Sequence, residues 1–245
     1  MNSASLRLLL LAAGTALAAC GSADAETASG AAQAAQPSAN PAAATNIAVP
    51  GDSAREALLA RADLGRIKGR EDAKVWVIVI SDFQCPFCKR WHDETAPRIE
   101  RDYVRTGKIR MAYLNFPIST HRNAQPAHEL AMCAAEQGNF WPVADKLFDT
   151  MSDWKNRFNA VAYFDSLART LPLEQERLDA CIKSGDLRPL IEADYRRATR
   201  VGVGSTPTFF IGDKAIIGAQ PYEAFAEAID AALAAAPAAT AKPGR

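Results

Sequence analysis

Lys74-Val75-Trp76-Val77-Ile78-Val79-Ile80-Ser81-Asp82-Phe83-Gln84-Cys85-Pro86-Phe87-Cys88-Lys89 is the stretch on which the fold turns. Its first half, Lys74 to Ile80, is continuously apolar and β-branched, the pattern of a central strand covered on both faces. Asp82-Phe83-Gln84 ends that run. Pro86 suits the first turn of a helix, because its fixed φ is helical and its missing N–H is one that the first turn leaves unpaired anyway. The helix is expected to continue to about Thr106, with Gly107 as its stop. Ile109 to Phe116 alternates as a second strand. Strand, helix, strand is a βαβ unit, which makes the pair parallel and the class α/β.

Working outward, Ser53-Ala54-Arg55-Glu56 has capping-box spacing and predicts a short helix through about Arg61. Helical periodicity dominates 124–201, broken at Gly138-Asn139, near Pro172 and at Gly185. Two short strands, Thr208 to Ile211 and Ala215 to Ile217, flank a Gly212-Asp213 turn. A last helix runs from Tyr222 to about Ala235. The expected organisation is an N-terminal helix and first part of an α/β core over 53–123, an α-helical insertion over 124–201, the second part of the core over 202–236, and a frayed tail over 237–245.

The N-terminus reads differently. Leu8 to Ala19 is an apolar run of about a dozen residues preceded by Arg7, the layout of a signal peptide over 1–19, and it falls short of the roughly 20 apolar residues of a membrane helix. Leu17-Ala18-Ala19-Cys20 resembles a bacterial lipobox, in which the Cys20 sulfur would carry the lipid; the alternative is a free Cys at the end of a plain signal peptide. Two or three acyl chains anchor stably where one does not. Gly21 to Pro50 is rich in Ala, Ser, Gln, Asn and Pro, too poor in large apolar side chains to offset its ordering entropy, so 20–52 is expected to be a lipidated, disordered tether. Pro37, Pro41 and Pro50 would interrupt any transient helix there. The expected location is the bacterial cell envelope, lipid-anchored and facing the periplasm or the exterior.

Composition narrows the function. The 245 residues carry 28 Lys+Arg against 28 Asp+Glu, which removes the electrostatic footprint of a nucleic-acid partner. Five cysteines are too few for a disulfide scaffold, so their positions matter more than their number. Cys85 and Cys88 lie at the strand-to-helix junction. Cys85 would occupy the N-cap, beside unpaired amides and the positive end of the helix dipole, which favours thiolate over thiol. Lys89 and Arg90 add positive charge nearby. Cys88, one turn on, would face the sheet. The expectation is an exposed sulfur that attacks and a buried one that resolves, the asymmetry that disulfide exchange requires. Zinc held by Cys85, Cys88 and His92 is an alternative, although no fourth ligand has recognisable spacing. A purely structural Cys85–Cys88 bond is another, weakened because so short a loop gains little from closure; a non-catalytic remnant is a third.

Ser81 to Lys89, together with Gly204-Ser205-Thr206-Pro207-Thr208-Phe209-Phe210-Ile211 and Cys133-Ala134-Ala135-Glu136-Gln137-Gly138-Asn139-Phe140-Trp141, resembles the DsbA-like branch of the thioredoxin superfamily. The resemblance spans about Lys74 to Ala235 and implies a thioredoxin fold with an α-helical insertion domain. It implies a cis Thr206-Pro207 bond beside Cys85, where sequence alone equally permits a Pro opening an edge strand. Catalysis would rest on Cys85 and Cys88, with Pro86, Phe87, Thr206 and Pro207 holding substrate. An extended substrate chain would pair with the Thr206 backbone. No organic cofactor or metal is implied. Partners would be cysteine-containing exported proteins, a membrane or soluble redox partner that recycles the dithiol, and the membrane through the lipid anchor.

Two departures bear on direction. Where DsbA has His, this chain has Phe87; where thioredoxin-fold enzymes often bury an acid six residues before the first Cys, it has Val79. The first predicts a less extreme Cys85 pKa than in DsbA, the second that water or another group must handle the Cys88 proton. Substrate oxidation is expected over reduction or isomerisation. Cys133 and Cys181 have counterparts in some DsbA-like proteins, which implies a structural disulfide; the alternative is two buried free thiols. His92, His121 and His128 read as solvated surface residues. Phe140, Trp141, Phe148, Trp154 and Phe164 read as core of the insertion rather than a cofactor box.

Overall fold

A computed structural model describes residues 52–236. The proposed signal peptide, Cys20, the tether and the 237–245 tail lie outside them. Helix α1 (Asp52–Gly65) precedes a short strand β1 (Ile67–Lys68) and the long strand β2 (Val75–Ser81). Helices α2 (Pro86–Glu94) and α3 (Ala96–Ile99) and a π-helical turn (Glu100–Val104) lead to β3 (Ile109–Asn115). Six helices follow: α4 (Ala124–Ala135), α5 (Phe140–Asp149), α6 (Met151–Trp154), α7 (Val161–Ala168), α8 (Gln175–Ser184) and α9 (Arg188–Arg200). The hairpin β4 (Thr208–Ile211) and β5 (Lys214–Ile217) and helix α10 (Tyr222–Ala235) complete the chain.

The five strands form one sheet in the order β1-β3-β2-β4-β5. β2 and β3 are parallel with Val79 opposite Tyr113 and Ser81 opposite Asn115, as the βαβ reading requires. β4 runs antiparallel to β2 with Thr208 opposite Ile80. This register carries the residues just before β4 to the end of β2 from which α2 departs.

The sheet's two faces differ. Val75, Val77 and Val79 enter the main core, which α2 and α10 close by packing Trp91, Phe225 and Ile229 with Phe209 of β4. Ile80 enters a small second cluster with Phe116, Ala198 and Val203, and Ile78 packs on its edge. Trp76 is 36% exposed, so β2 is central but not covered on both faces along its whole length. A continuous apolar run does not distinguish full cover from a second face only partly roofed.

Two helix boundaries also depart from expectation. α1 begins at Asp52, which puts Ser53 inside the helix rather than at its cap, and it continues to Gly65, beyond Arg61. A Cβ at Gly65 would fall 2.0 Å from the Ala135 carbonyl oxygen, so glycine lets the end of α1 meet the end of α4. The helix from Pro86 is not continuous to Thr106: it breaks at Thr95 (φ −112°), whose hydroxyl donates to the Gln220 carbonyl. Pro97 then opens α3, since it can occupy a first turn but not donate within a longer helix. Gly107, at φ +74°, does end the segment.

Helices α4 to α9 lie between β3 and β4 in the chain. Cys133 in α4 and Cys181 in α8 are bonded, with an S–S distance of 2.01 Å. Trp154 is fully buried, donates its indole N–H to the Leu147 carbonyl and meets the Phe164 ring edge-on. Phe140 and Phe148 reach past the insertion to Phe83 of the motif, so both parts share one core. Further breaks at Thr150 and around 155–160 carried no proline or glycine to announce them. At the back of the sheet, buried Asp194 of α9 accepts from Arg66 and from the backbone and side-chain amides of Asn115 at 3.1 and 2.8 Å. A buried charge costs heavily unless so paired.

Candidate active site

Cys85 occupies the N-cap of α2 in extended conformation (φ −77°, ψ 123°), with Pro86 at the first helical position. Its N–H donates to the Asp82 carbonyl at 3.1 Å and its carbonyl accepts from Lys89 N–H at 3.1 Å. The sulfur is thereby fixed over the open end of the helix. Cys88 lies one turn in, and its sulfur accepts from the Asp82 N–H at 3.5 Å. Both thiols are free, and both are buried: Cys85 is 4% exposed and Cys88 1%. The expected contrast between an open and a shielded sulfur is therefore corrected, because the loop before β4 closes over the helix end.

The asymmetry is electrostatic, and the deeper burial of Cys88 is part of it. The Cys88 thiol donates toward Cys85, and this hydrogen bond leads the effects that lower the Cys85 thiol to about 6. Burial opposes it; the Thr206 hydroxyl and the backbone N–H groups of Cys88 and Phe87 add to it. Burial, then the Cys85 charge, push Cys88 well up. A helix N-terminus can stabilise only the sulfur that faces it. Lys89 and Arg90 do not contribute in the way their charge suggests: Lys89 pairs with Asp93 at 2.9 Å and Arg90 donates to the Ala219 carbonyl at 3.2 Å.

Across from Cys85 the Thr206-Pro207 peptide bond is cis. The Cys85 thiol donates to the Thr206 carbonyl at 3.4 Å, so that carbonyl is engaged by the cysteine itself in the reduced protein. The buried Thr206 hydroxyl has no hydrogen-bond partner among the described residues, which leaves it free to turn toward the Cys85 thiolate. Phe87 is 54% exposed beside these groups, with the Arg90 guanidinium 5.3 Å from its ring. Cys85, Cys88, Pro86, Phe87, Thr206 and Pro207 thus meet at one place, although the two segments are about 120 residues apart in sequence.

Several groups at this place carried no assigned role in the sequence. Asp82 is fully buried: one carboxylate oxygen accepts from Gln84 N–H at 2.7 Å, the other from Ile118 N–H at 2.7 Å and faces His121 Nδ1 at 2.8 Å. Its main chain contacts both cysteines, so Asp82 ties the turn to the loop after β3. The Asp82 carboxylate holds the His121 imidazolium above its ordinary pKa. Gln84 accepts from Asn123 N–H and donates to the Lys155 carbonyl, both at 2.8 Å, which pins the insertion to the motif. The position of Asp82 within the motif was a signal; its distant partners were not legible.

The histidines are corrected as a group. His128 is fully buried, bonded to Asn115 at 2.8 Å, and burial lowers it to about 4, leaving it neutral. His92 and His121 are partly buried and both face carboxylates. His92 lies against Asp93 and Asp145, and with Asp93 and Asp149 it forms a group within metal-binding distance that includes neither cysteine. The Cys85, Cys88 and His92 zinc grouping is not assembled among the described residues.

A dithiol at a helix N-terminus opposite a cis-proline, on a sheet of this order, agrees with the comparison by family profile, in which the profile described as thioredoxin matches residues 62–231. The chain belongs to the thioredoxin family. Within that family it is DsbA-like, a thiol-disulfide oxidoreductase. It is 25% identical over 174 residues to Disulfide bond formation protein D of Bacillus subtilis, covering 68% of this chain and 76% of that protein. Among solved structures it resembles α-DsbA1 of Wolbachia pipientis, with 22% identity, a TM-score of 0.63, and 69% and 91% of the two chains covered. It also resembles oxidised BdbD from Bacillus subtilis, with 24% identity, a TM-score of 0.59 and coverage of 70% and 94%. No helix among the described residues is long and apolar enough to cross a membrane.

Proposed function

We propose that this DsbA-like chain is an exported dithiol oxidase: Cys85 and Cys88 pass a disulfide to cysteines of envelope proteins and recover it from a redox partner. The observation that carries this reading is the opposed tuning of the two sulfurs, Cys85 lowered to about 6 and Cys88 raised. A stabilised thiolate favours the reduced dithiol, which makes the disulfide the better oxidant. In the proposed cycle a substrate thiolate attacks the Cys85 sulfur, Cys88 leaves, and a second substrate thiol then displaces Cys85. Thr206 and Pro207 face the substrate backbone, while Pro86 and exposed Phe87 offer it an apolar edge. The name of the Bacillus relative, a disulfide bond formation protein, supports the direction. Lipidation at Cys20 and attachment to the cell envelope complete the proposal, and they rest on the lipobox pattern alone.

The test has two parts. In a Cys88→Ser variant, Cys85 should accumulate as a mixed disulfide with substrate, whereas capture through another sulfur would refute the assignment of nucleophile. The potential of the Cys85/Cys88 couple, equilibrated against glutathione, should lie above that of protein disulfide isomerase at about −180 mV and below that of DsbA at about −120 mV. A value near thioredoxin's, about −270 mV, would make the protein a reductase.

A further inference from the structure

A cleft of about 550 Å³ opens behind the dithiol, walled by α2 and α3 on one side, α5 on the other, and the sheet beneath. Exposed Arg105, Asp145 and Asp149 stand at its mouth, and Ser81 and Tyr113, each 2% exposed, line its inner end. Three donors on its wall have no hydrogen-bond partner among the described residues: the Tyr113 hydroxyl and the indole N–H groups of Trp91 and Trp141. Buried polar atoms are seldom left unpaired, and a roomy site offering several of them is one that holds water. The inner end reaches the chemistry, because Ser81 directly precedes Asp82, whose N–H meets the Cys88 sulfur at 3.5 Å, and the Ser81 side chain favours the Cys88 thiolate. Val79, the β2 residue opposite Tyr113, is apolar and 1% exposed, so no acid lines that position.

We propose that Ser81 and Tyr113 conduct the proton of Cys88 between its buried sulfur and water in this cleft, Val79 leaving the sheet beside Tyr113 without a carboxylate to do so. The inference deepens the oxidase reading and rests on it. When substrate attacks Cys85, the Cys85–Cys88 bond breaks, a Cys85–substrate bond forms, and Cys88 leaves as a thiolate that takes up one proton. During reoxidation Cys85 thiolate attacks a partner disulfide and releases one partner thiolate. Cys88 must then lose its proton, attack the Cys85 sulfur and release the second partner thiolate. One proton crosses between Cys88 and solvent in each half of the cycle. In this route Ser81 is the group next to the reacting sulfur, and Tyr113 acts through it and through water.

Tyr113 is suited to pass a proton without holding a charge. Burial, and then the nearby Cys88, push its own ionisation well up, so the phenol releases one proton only as it gains another. Other titratable groups surround the path: Cys85, Asp82 with His121, and neutral His128 at the dithiol end, and Lys68, His92, Glu100 and Asp145 along the cleft. None of these is hydrogen-bonded to the Tyr113 hydroxyl.

Tyr113→Phe and Ser81→Ala test the route. Phe retains the ring that stacks on Phe83 at 5.1 Å and packs against Phe140 at 5.0 Å, so the fold should persist. Reduced protein is mixed with oxidised glutathione, and conversion of the Cys85–glutathione mixed disulfide to the Cys85–Cys88 bond is followed across pH. Both variants should resolve the intermediate about tenfold more slowly, the low end of what positioned proton transfer contributes, with a steeper pH dependence. Alkylation of Cys85 against pH should keep its profile, which a general loosening of the site would not allow. Resolution at the parent rate with the parent pH profile in both variants would overturn the proposal, as would a parallel loss of Cys85 alkylation. Failure of the unaltered protein to form any mixed disulfide would instead sink the exchange reading, and the proton route with it.

Discussion

The chain contains two cysteine pairs that burial alone cannot tell apart. Cys85 and Cys88 are 4% and 1% exposed and free; Cys133 and Cys181 are 2% and 6% exposed and bonded. The difference lies in what surrounds the sulfurs and how much chain they join. Cys85 caps α2, where amide N–H groups and a neighbouring thiol favour its anion, while Cys133 and Cys181 sit within helices whose peptide groups are already paired. The outer pair closes 48 residues, which in the chain-entropy model stabilises by about 4 kcal/mol. The inner pair closes almost none, so its bond can form and break without much consequence for the fold. Reactivity here follows the helix end and the partner, not exposure.

Removing the inner pair should have the largest effect on activity. Cys85→Ser is expected to reduce insulin or peptide-dithiol exchange to the level of buffer, since the other free described cysteine, Cys88, is buried and its thiol is pushed well up. Residual exchange would assign the chemistry elsewhere. Removing the outer pair should have the largest effect on stability. The Cys133→Ala, Cys181→Ala double variant should lose up to about 4 kcal/mol in urea unfolding, less if the unfolded chain retains structure. Its Cys85 alkylation profile should not move. A shift there would show that the two regions are coupled and that the contrast between them is incomplete.

The pH dependence of the inner pair sharpens the contrast further. Iodoacetamide should modify Cys85 with a midpoint near pH 6, against about 8.5 for an ordinary thiol. Because the folded-state value is depressed, the stabilisation of the reduced protein is present above the ordinary value and lost as pH falls through about 6. The oxidised protein has no thiolate and should show no such loss. Thr206→Val removes the one side-chain hydroxyl, outside the dithiol, that favours the Cys85 anion. A hydrogen bond to a charged group contributes about 1.5 kcal/mol or more, so the midpoint should rise by about one unit. An unchanged midpoint would leave Cys88 and the helix end as the whole source of the shift.

Much of this was legible in sequence, and what was not has a physical reason. The strand before Cys85, the parallel pair, the hairpin around Gly212 and the last helix were readable because each rests on local periodicity and turn chemistry. The break at Thr95 was missed because nothing local demands it: Thr95 departs from the helix to reach Gln220, a contact 125 residues away. The same holds for the site. A cysteine at an N-cap is local, whereas Asp82 gathers Gln84, Ile118 and His121 from segments that meet only on folding. His128 misled because a histidine on a helix gives no sign of which face it shares, and here that face holds Phe83 and Asn115. Exposure of Cys85 misled for a related reason: the loop that covers it begins over a hundred residues later.

His121 offers the smallest effect and separates its field from its hydrogen bond. The imidazole is 23% exposed and Asp82 raises its pKa, while Cys85 acts on it only through its charge. His121→Asn should therefore raise the Cys85 midpoint by less than Thr206→Val does. Asp82 keeps the N–H groups of Gln84 and Ile118, so the turn that carries Cys85 should hold its shape. A raised folded-state pKa contributes stability that is complete below the ordinary value, near 6.5, and lost as pH climbs through the raised one. The unaltered reduced protein should thus exceed the variant by about 1 kcal/mol at pH 6 in urea unfolding, with the gap closing by pH 9. A gap independent of pH would mean that the imidazole bonds to Asp82 as a neutral donor. The charge near Cys85 would then come from the helix end alone, and the contrast between the two cysteine pairs would reduce to where each sulfur stands on its helix.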